Sequence, residues 1–267
     1  MSNDIDLDIS NGVALITFNR PEAMNTFTSG MMTGLGEAYQ ACDADDEVRV
    51  VVVTGAGKAF CAGADLSGGA ETFDEKEDMD FSSSPLSFQA QQVRKPVIAA
   101  CNGHAIGVGL GIASQCDMRI MAAQGKYGFL QAQRGVIADF NIHHVLPRMI
   151  GLEAALEMIL TGKRYSGTEI GELGFARRVA SAEDVLPLAM DMARDMAENC
   201  APLITGMAKR MIWDGLDRTQ AQAQDIETRA LHQSMGKPDA LEGGMAFFEK
   251  RKPNWTGSAG KDWPDWL

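Results

Sequence analysis

The chain lacks what several broad classes of protein require. It has no excess of positive charge: 24 Lys and Arg stand against 36 Asp and Glu, a formal net charge of −12. Nucleic acid is held through a basic footprint, so this balance argues against general nucleic-acid binding, although a local group of cations can still take an anionic ligand. No apolar run approaches the length of a membrane span, and the acidic stretch Met1 to Ser10 has no signal-peptide core. The five cysteines, at 42, 61, 101, 116 and 200, are odd in number and include no Cys-x-x-Cys. That usage points to free buried thiols in a reducing compartment, hence to a cytoplasmic protein. There is no fixed-period repeat, no dinucleotide fingerprint with its acidic ribose partner, and no set of metal ligands at suitable spacing. With 267 residues the chain suffices for one large domain, or a domain with an appendage.

What is present is an alternation of strands and helices. Val13 to Phe18 reads as a strand, and Ser29 to Cys42 places Met32, Leu35, Tyr39 and Cys42 at helical spacing. The β-branched run Val48 to Thr54 reads as a buried parallel strand, with further strands at Val97 and near Met118 to Met121. Alternation of this kind implies an α/β fold with mainly parallel pairing. From Gly151 onward the pattern is mostly helical, with capped starts at Ser166-Gly167-Thr168-Glu169 and Ser181-Ala182-Glu183-Asp184. Helices are expected near Ile204 to Trp213, Thr219 to Met235 and Leu241 to Lys250. The polar stretch Ser67 to Ser84, with Glu71, Asp74, Glu75, Glu77, Asp78 and Asp80, reads as a solvated loop or as a lid over a ligand.

Two glycine-rich segments carry the chemistry. One is Ala59-Phe60-Cys61-Ala62-Gly63-Ala64-Asp65-Leu66; the other runs from Ala99 through Asn102-Gly103-His104 to Gly107-Val108-Gly109-Leu110-Gly111. Each follows a strand and a turn, and the second opens a helix. Small residues leave backbone N–H groups uncovered, so two such places could aim two donors at one oxygen as charge develops on it. Each taken alone could equally serve close strand–helix packing.

In these segments the sequence resembles the crotonase superfamily, the enoyl-CoA hydratase/isomerase family. Asn19-Arg20-Pro21-Glu22-Ala23-Met24-Asn25, Leu146-Pro147-Arg148 and Phe247-Phe248-Glu249-Lys250-Arg251 are also similar to family segments, in the family's order along nearly the whole chain. The resemblance implies a crotonase-like ββα superhelix over residues 1–200, carrying an acyl-CoA site. It also implies a C-terminal helical trimerisation region over 201–267 and a homotrimer or hexamer. Coenzyme A would be part of the substrate, with no separate cofactor. The oxyanion donors would be the N–H groups of Ala64 and Val108, where a helix N-terminus also favours negative charge.

The chain departs from the hydratase pattern at both catalytic glutamates, where it has Gly111 and Gln131. One acid remains in register with family isomerases and with the nucleophile of aroyl-CoA dehalogenases: Asp139. The resemblance therefore implies enolate chemistry on an enoyl thioester with Asp139 as the single acid/base, isomerisation being favoured over two-glutamate hydration. The alternatives are a dehalogenase-like hydrolase and a non-catalytic acyl-CoA-binding homologue. Burial beside Val136, Ile137 and Phe140 would raise the pKa of Asp139; a helix-capping role is the plainer possibility. His143, His144 and Gln131 are candidates to assist it, although two adjacent histidines on a helix diverge by about 100°. His104 is either an acyl-pocket or a turn residue. For coenzyme A the resemblance points to Ala23, Asn25, Ala62, Asp65 and Leu66, and to Phe247 and Lys250 reaching a neighbouring subunit. Lys250 reads equally as a surface charge, Arg20 as a brace for its turn, and Trp255, Trp263 and Trp266 as an interface or a satellite cluster.

Overall fold

A computed structural model describes residues 4–69 and 82–267. Among them the strand runs assemble into two sheets. The larger contains β1 (Ile5–Ser10), β2 (Val13–Phe18), β3 (Val50–Gly55), β5 (Val97–Cys101), β7 (Met118–Ala122) and β10 (Arg178–Ala180), in the spatial order β1-β2-β3-β5-β7-β10. The β1–β2 pair is antiparallel and every other neighbour is parallel. The smaller sheet orders β4 (Ala59–Cys61), β6 (His104–Ile106), β8 (Lys126–Gly128) and β9 (Tyr165–Ser166). Thus β3, β5 and β7 are neighbours in one sheet, and the strands that follow them, β4, β6 and β8, are neighbours in the other. The chain turns the same corner three times and stacks the turns. The sequence reading finds β2, β3, β5 and β7 of the first sheet but neither its edge strands β1 and β10 nor the two- and three-residue strands of the second, which are too short to show a period.

The four valines of β3 show why this strand is continuous in apolar character. Val51 and Val53 face a cluster with Met31, Leu35, Tyr39 and Cys42 of α1 (Ser29–Ala44). Val50 and Val52 face Val185, Ala189, Ala193 and Ala197 of α6 (Ala182–Asn199). Alternate side chains point to opposite faces, so a strand covered on both sides has no polar position to spare. Each buried valine contributes about 1.5–3 kcal/mol. The fourfold spacing on α6 sets its apolar residues on one stripe, and the three alanines let the helix lie close to the sheet.

The other helices are α2 (Val108–Gln115), α3 (Ile142–Ile150), α4 (Leu152–Thr161), α5 (Gly167–Glu172), α7 (Pro202–Gly215), α8 (Gln220–Ser234) and α9 (Pro238–Glu249). Ser166 and Glu169 form a reciprocal cap on α5, and Thr219 and Gln222 do so on α8. Ser181 begins α6 differently: its hydroxyl donates to Asp184 at 2.6 Å instead of accepting from the backbone. α7 is fixed to the core by Lys209, whose ammonium reaches Asp117 Oδ2 at 2.8 Å and the carbonyls of Ala90 and Lys95. The tail folds back on its own chain: Arg94 lies over the ring of Trp263, Arg229 over Trp266, and the Trp255 ring lies beside Gly243. No described helix is long and apolar enough to cross a membrane.

Candidate active site

The two glycine-rich segments meet because β4 pairs with β6 in parallel, Cys61 opposite Ala105. Their backbones abut beyond the strands, where a Cβ on Gly109 would lie 2.2 Å from the Cys61 carbonyl oxygen. Each segment then turns through a glycine with positive φ, Gly63 at +113° and Gly107 at +53°. L-residues rarely adopt those angles. The residue after each glycine is Ala64 in one case and Val108 in the other. Val108 is the first residue of α2, so its N–H has no partner within the helix. Ala64 makes a bridge to Phe27 in which the Gly63 carbonyl and the Asp65 N–H are used and the Ala64 N–H is not.

Both residues line one cavity of about 540 Å³, together with Ala62, Leu66, Gln131 and Asp139. Asp139 is brought there by the 3₁₀ turn Gln131–Arg134, which ends at Gly135 in the left-handed region. Phe140 and Asn141 follow, both non-glycine residues with positive φ (56° and 52°). Such residues carry strain of order 1–3 kcal/mol each and persist where their surroundings hold them. The Phe140 ring is fully buried, and Gln115 donates to the Phe140 carbonyl.

The Asp139 carboxyl is half-buried, and desolvation raises its pKa above the ordinary carboxylate value, partly opposed by a hydrogen bond from its own backbone N–H. It does not cap α3: the N-cap is Asn141, and only the carbonyl of Asp139 accepts from Ile142 N. The apolar surroundings differ from those expected, because Ile137 is 82% exposed and Val136 lies at the surface, while Phe140 is buried. Gln131 reaches into the same cavity, and its Oε1 is buried without a hydrogen-bond partner among the described residues.

Several other expected residues have different work. Asn25 is fully buried and its amide is satisfied internally: Oδ1 accepts from Arg20 N, and Nδ2 donates to the carbonyls of Ala56 and Ala59. It therefore pins a turn, and its side chain has no group left for a ligand. Asp65 accepts from Ser67 N and pairs with Arg20 at 3.0 Å, contacts that hold its pKa below the usual range. Arg20 also donates to the Thr26 carbonyl, so it braces the turn. Ala23 belongs to the short 3₁₀ turn Pro21–Ala23, and the Ala62 N–H is taken by the Met24 carbonyl.

None of His104, His143 and His144 lines the cavity that holds Asp139. His104 Nδ1 accepts from Lys126 N and joins β6 to β8. His144 Nε2 faces Asp217 at 3.4 Å, on the other side of α3. His143 is exposed and lines an adjoining cavity. Phe247, 78% exposed, packs edge-on against Phe248, and Lys250 ends α9 with φ +54°; neither reaches the cavity of their own chain.

Sequence reasoning missed Arg134, Ser82 and Ser83, which also line the cavity. The serines lie at the described end of the polar stretch; its acids, Glu71 to Asp80, lie outside the described residues. Arg134 had no signal, since only the path of the 3₁₀ turn places it at the opening. Among the described residues no aromatic side chain lines the cavity, and no group of three or more His, Cys, Asp or Glu is placed to hold a metal.

Among the described residues, two main-chain donors without a backbone partner and one carboxyl line the cavity, an arrangement that can hold an oxygen as it gains negative charge. The chain belongs to the enoyl-CoA hydratase/isomerase family, whose model matches residues 8–258. A crystal structure of a probable enoyl-CoA hydratase/isomerase from Mycobacterium abscessus is 42% identical, with a TM-score of 0.92 over 95% of this chain and 99% of that one. Enoyl-CoA hydratase ACTT3 of Alternaria alternata is 35% identical over 255 residues, covering 93% of this chain and 84% of the relative. Probable enoyl-CoA hydratase echA8 of Mycobacterium leprae (strain TN) is 36% identical over 245 residues, 91% and 94% of the two chains. The fold is accordingly the crotonase-like one that the sequence resemblance implied.

Proposed function

We propose that the protein is an enzyme acting on an enoyl-CoA thioester, and that it moves a double bond through an enolate in preference to adding water. The observation that carries this reading is the composition of the cavity among the described residues: two N–H groups without a backbone partner, at Ala64 and Val108, and one carboxyl, at Asp139. The positions where a hydratase would carry glutamates hold Gly111 and Gln131. With a single acid/base, the ionised Asp139 takes a proton from Cα of a 3-enoyl thioester. The C–H electron pair moves into the carbonyl, and the two N–H donors hold the dienolate oxygen. The protonated Asp139 then returns the proton at Cγ, so that the double bond lies between Cα and Cβ and nothing is gained or lost. Coenzyme A enters as part of the substrate.

Homotrimeric or hexameric assembly, with Phe247 and Lys250 of one copy approaching the coenzyme A of another, belongs to the same reading. So does cytoplasmic residence, which suits cysteines that are all unpaired. The deciding experiment gives the protein a 3-enoyl-CoA and follows the product by mass and by NMR. An unchanged mass with a shifted double bond is the expected result. A product heavier by one water would replace isomerisation with hydration, and no conversion of any enoyl thioester would remove the enzymatic reading.

A further inference from the structure

The 3₁₀ turn Gln131–Arg134 sorts its side chains by its own geometry. With three residues to a turn, side chains at i and i+3 eclipse, so Gln131 and Arg134 share one face, and both line the cavity that holds Asp139. Gln133 points elsewhere: its amide donates to the carbonyls of Thr161 and Gly162, at 2.7 Å and 3.1 Å, and ties the turn to the end of α4. The two side chains on the cavity face have no such engagement. Among the described residues the Gln131 amide makes no hydrogen bond, and the Arg134 guanidinium makes no hydrogen bond, ion pair or ring contact. Asp139, the other charged side chain described in that lining, does not use the guanidinium either: its pKa is moved by desolvation and by its own backbone, with no cation contributing.

We infer that Arg134, with the Gln131 amide beside it, receives a carboxylate carried by the acyl group, so that the enzyme's substrates are thioesters of short dicarboxylic acids. The inference rests on the proposed thioester site. A carbonyl held by Ala64 and Val108 brings Cα and Cγ to the wall formed by residues 131–139, and the acyl group continues along that wall. Coenzyme A leaves by the other wall, which Ala62 and Leu66 line. The acyl group is short because Asp139 and Arg134 face one cavity of about 540 Å³. A guanidinium presents a rigid fork of N–H donors matched to the two oxygens of a carboxylate, and an amide NH₂ on the same face adds a further donor. A hydrocarbon chain would engage neither group. In a chain of net charge −12, a local cation is also what draws an anionic acyl group in.

Two other anions compete for the same guanidinium: a phosphate of coenzyme A, and an acid of the stretch 70–81, which lies outside the described residues. The place of Arg134 on the wall that carries Asp139 favours the acyl carboxylate.

The test measures binding of glutaryl-CoA, of its neutral amide glutaramoyl-CoA and of free coenzyme A by calorimetry, to the wild type, Arg134→Met and Arg134→Lys. Arg134 is exposed, so both replacements leave the fold intact. Glutaryl-CoA is expected to bind the wild type about fivefold more tightly than the amide of the same shape, the scale of a well-formed but solvent-accessible ion pair. Raising salt to about 1 M, where charges are screened within roughly 3 Å, should erase most of that preference. Arg134→Met should abolish it, and Arg134→Lys should keep part of it, since the charge remains and the fork does not. Equal binding of the acid and the amide by the wild type overturns the carboxylate clamp and leaves the thioester site standing. A preference that survives Arg134→Met assigns the carboxylate to another group and overturns it too. An equal loss for both thioesters and for free coenzyme A in Arg134→Met gives the guanidinium to a phosphate, with the same consequence. If no thioester binds, the proposed function and the clamp fall together.

Discussion

The ring of Phe140 occupies the space into which a side chain on Gly111 would project: a Cβ at position 111 would lie 2.6 Å from Phe140 Cδ2 and 3.0 Å from Cγ. The missing glutamate is therefore not a simple deletion. The glycine and the buried aromatic fill one volume between them. Gly111→Ala should destabilise the protein by about 1–3 kcal/mol, the usual range for overpacking a filled core. Gly111→Ala combined with Phe140→Leu should recover part of that loss. Urea unfolding of the single and double variants measures both, and strict additivity would show that the two residues do not compete for the space.

Asp139→Asn keeps the shape of the side chain and removes the base. Turnover of the 3-enoyl thioester is expected to fall by roughly 10² or more. Thioester affinity should hardly change, because the proposed carbonyl donors belong to the main chain. Steady-state turnover and calorimetry on the same preparation separate the two effects. Turnover close to wild type would take the acid/base role away from Asp139.

The pH profile follows from the same carboxyl. Desolvation favours its neutral form, so the ionised base appears only above the ordinary carboxylate pKa. The acid limb of kcat/KM should accordingly lie at a higher pH than for an exposed aspartate. Stability has the opposite sign. The folded state holds this proton more tightly than the unfolded one, so the contribution of Asp139 is full below the unfolded pKa and is lost as pH rises through the folded one. An acid limb at or below the pKa of a free aspartate contradicts the burial of the group.

Lys209 and Asp117 form a buried pair, with side chains only 6% and 15% exposed, and Trp213 Nε1 donates to the same carboxylate. Lys209→Met leaves Asp117 charged and short of its main partner. A loss of about 3–5 kcal/mol is expected in chemical denaturation. A loss below 1 kcal/mol would mean that water replaces the ammonium and that α7 is held by its apolar contacts.

Four of the five thiols are buried, and desolvation pushes those of Cys42, Cys61 and Cys116 up to about 12. Thiolate is the reactive form, so a thiol reagent at pH 8 should titrate no more than Cys200 in the folded protein. All five should react in denaturant. Rapid native reaction of a second thiol would reveal an opening of the core.

Much of this architecture was legible because it rests on local rules. The valine run of β3, the cap at Ser166 and the glycines at 63 and 107 each state their conformation in a few neighbouring residues. The short strands β4 and β8 do not, since three residues show no period and gain their form only by pairing across the chain. The same distinction separates site residues that were legible from those that were not. Ala64 and Val108 are marked by the glycines before them. The positions of Arg134 and of His144, turned toward Asp217, depend on how α3 and the preceding turn are oriented. Asn25 looked like a ligand residue because a motif gives its place and not the destinations of its three hydrogen bonds.

The two donors described above are peptide groups, aimed by Gly63 and Gly107 and indifferent to the side chains that follow them. Apart from proline, which has no N–H, a point substitution at 64 or 108 can crowd such a device but cannot delete it, whereas one base change can remove or create a carboxyl. The durable half of the site is thus written in chain path, and the changeable half in side-chain identity. On the proposed function, a lineage can exchange its acids while every intermediate form still grips the same carbonyl. Gly111, Gln131 and Asp139 are the positions on which one such exchange would act, and Gly63 and Gly107 are the part that a change of reaction leaves in place.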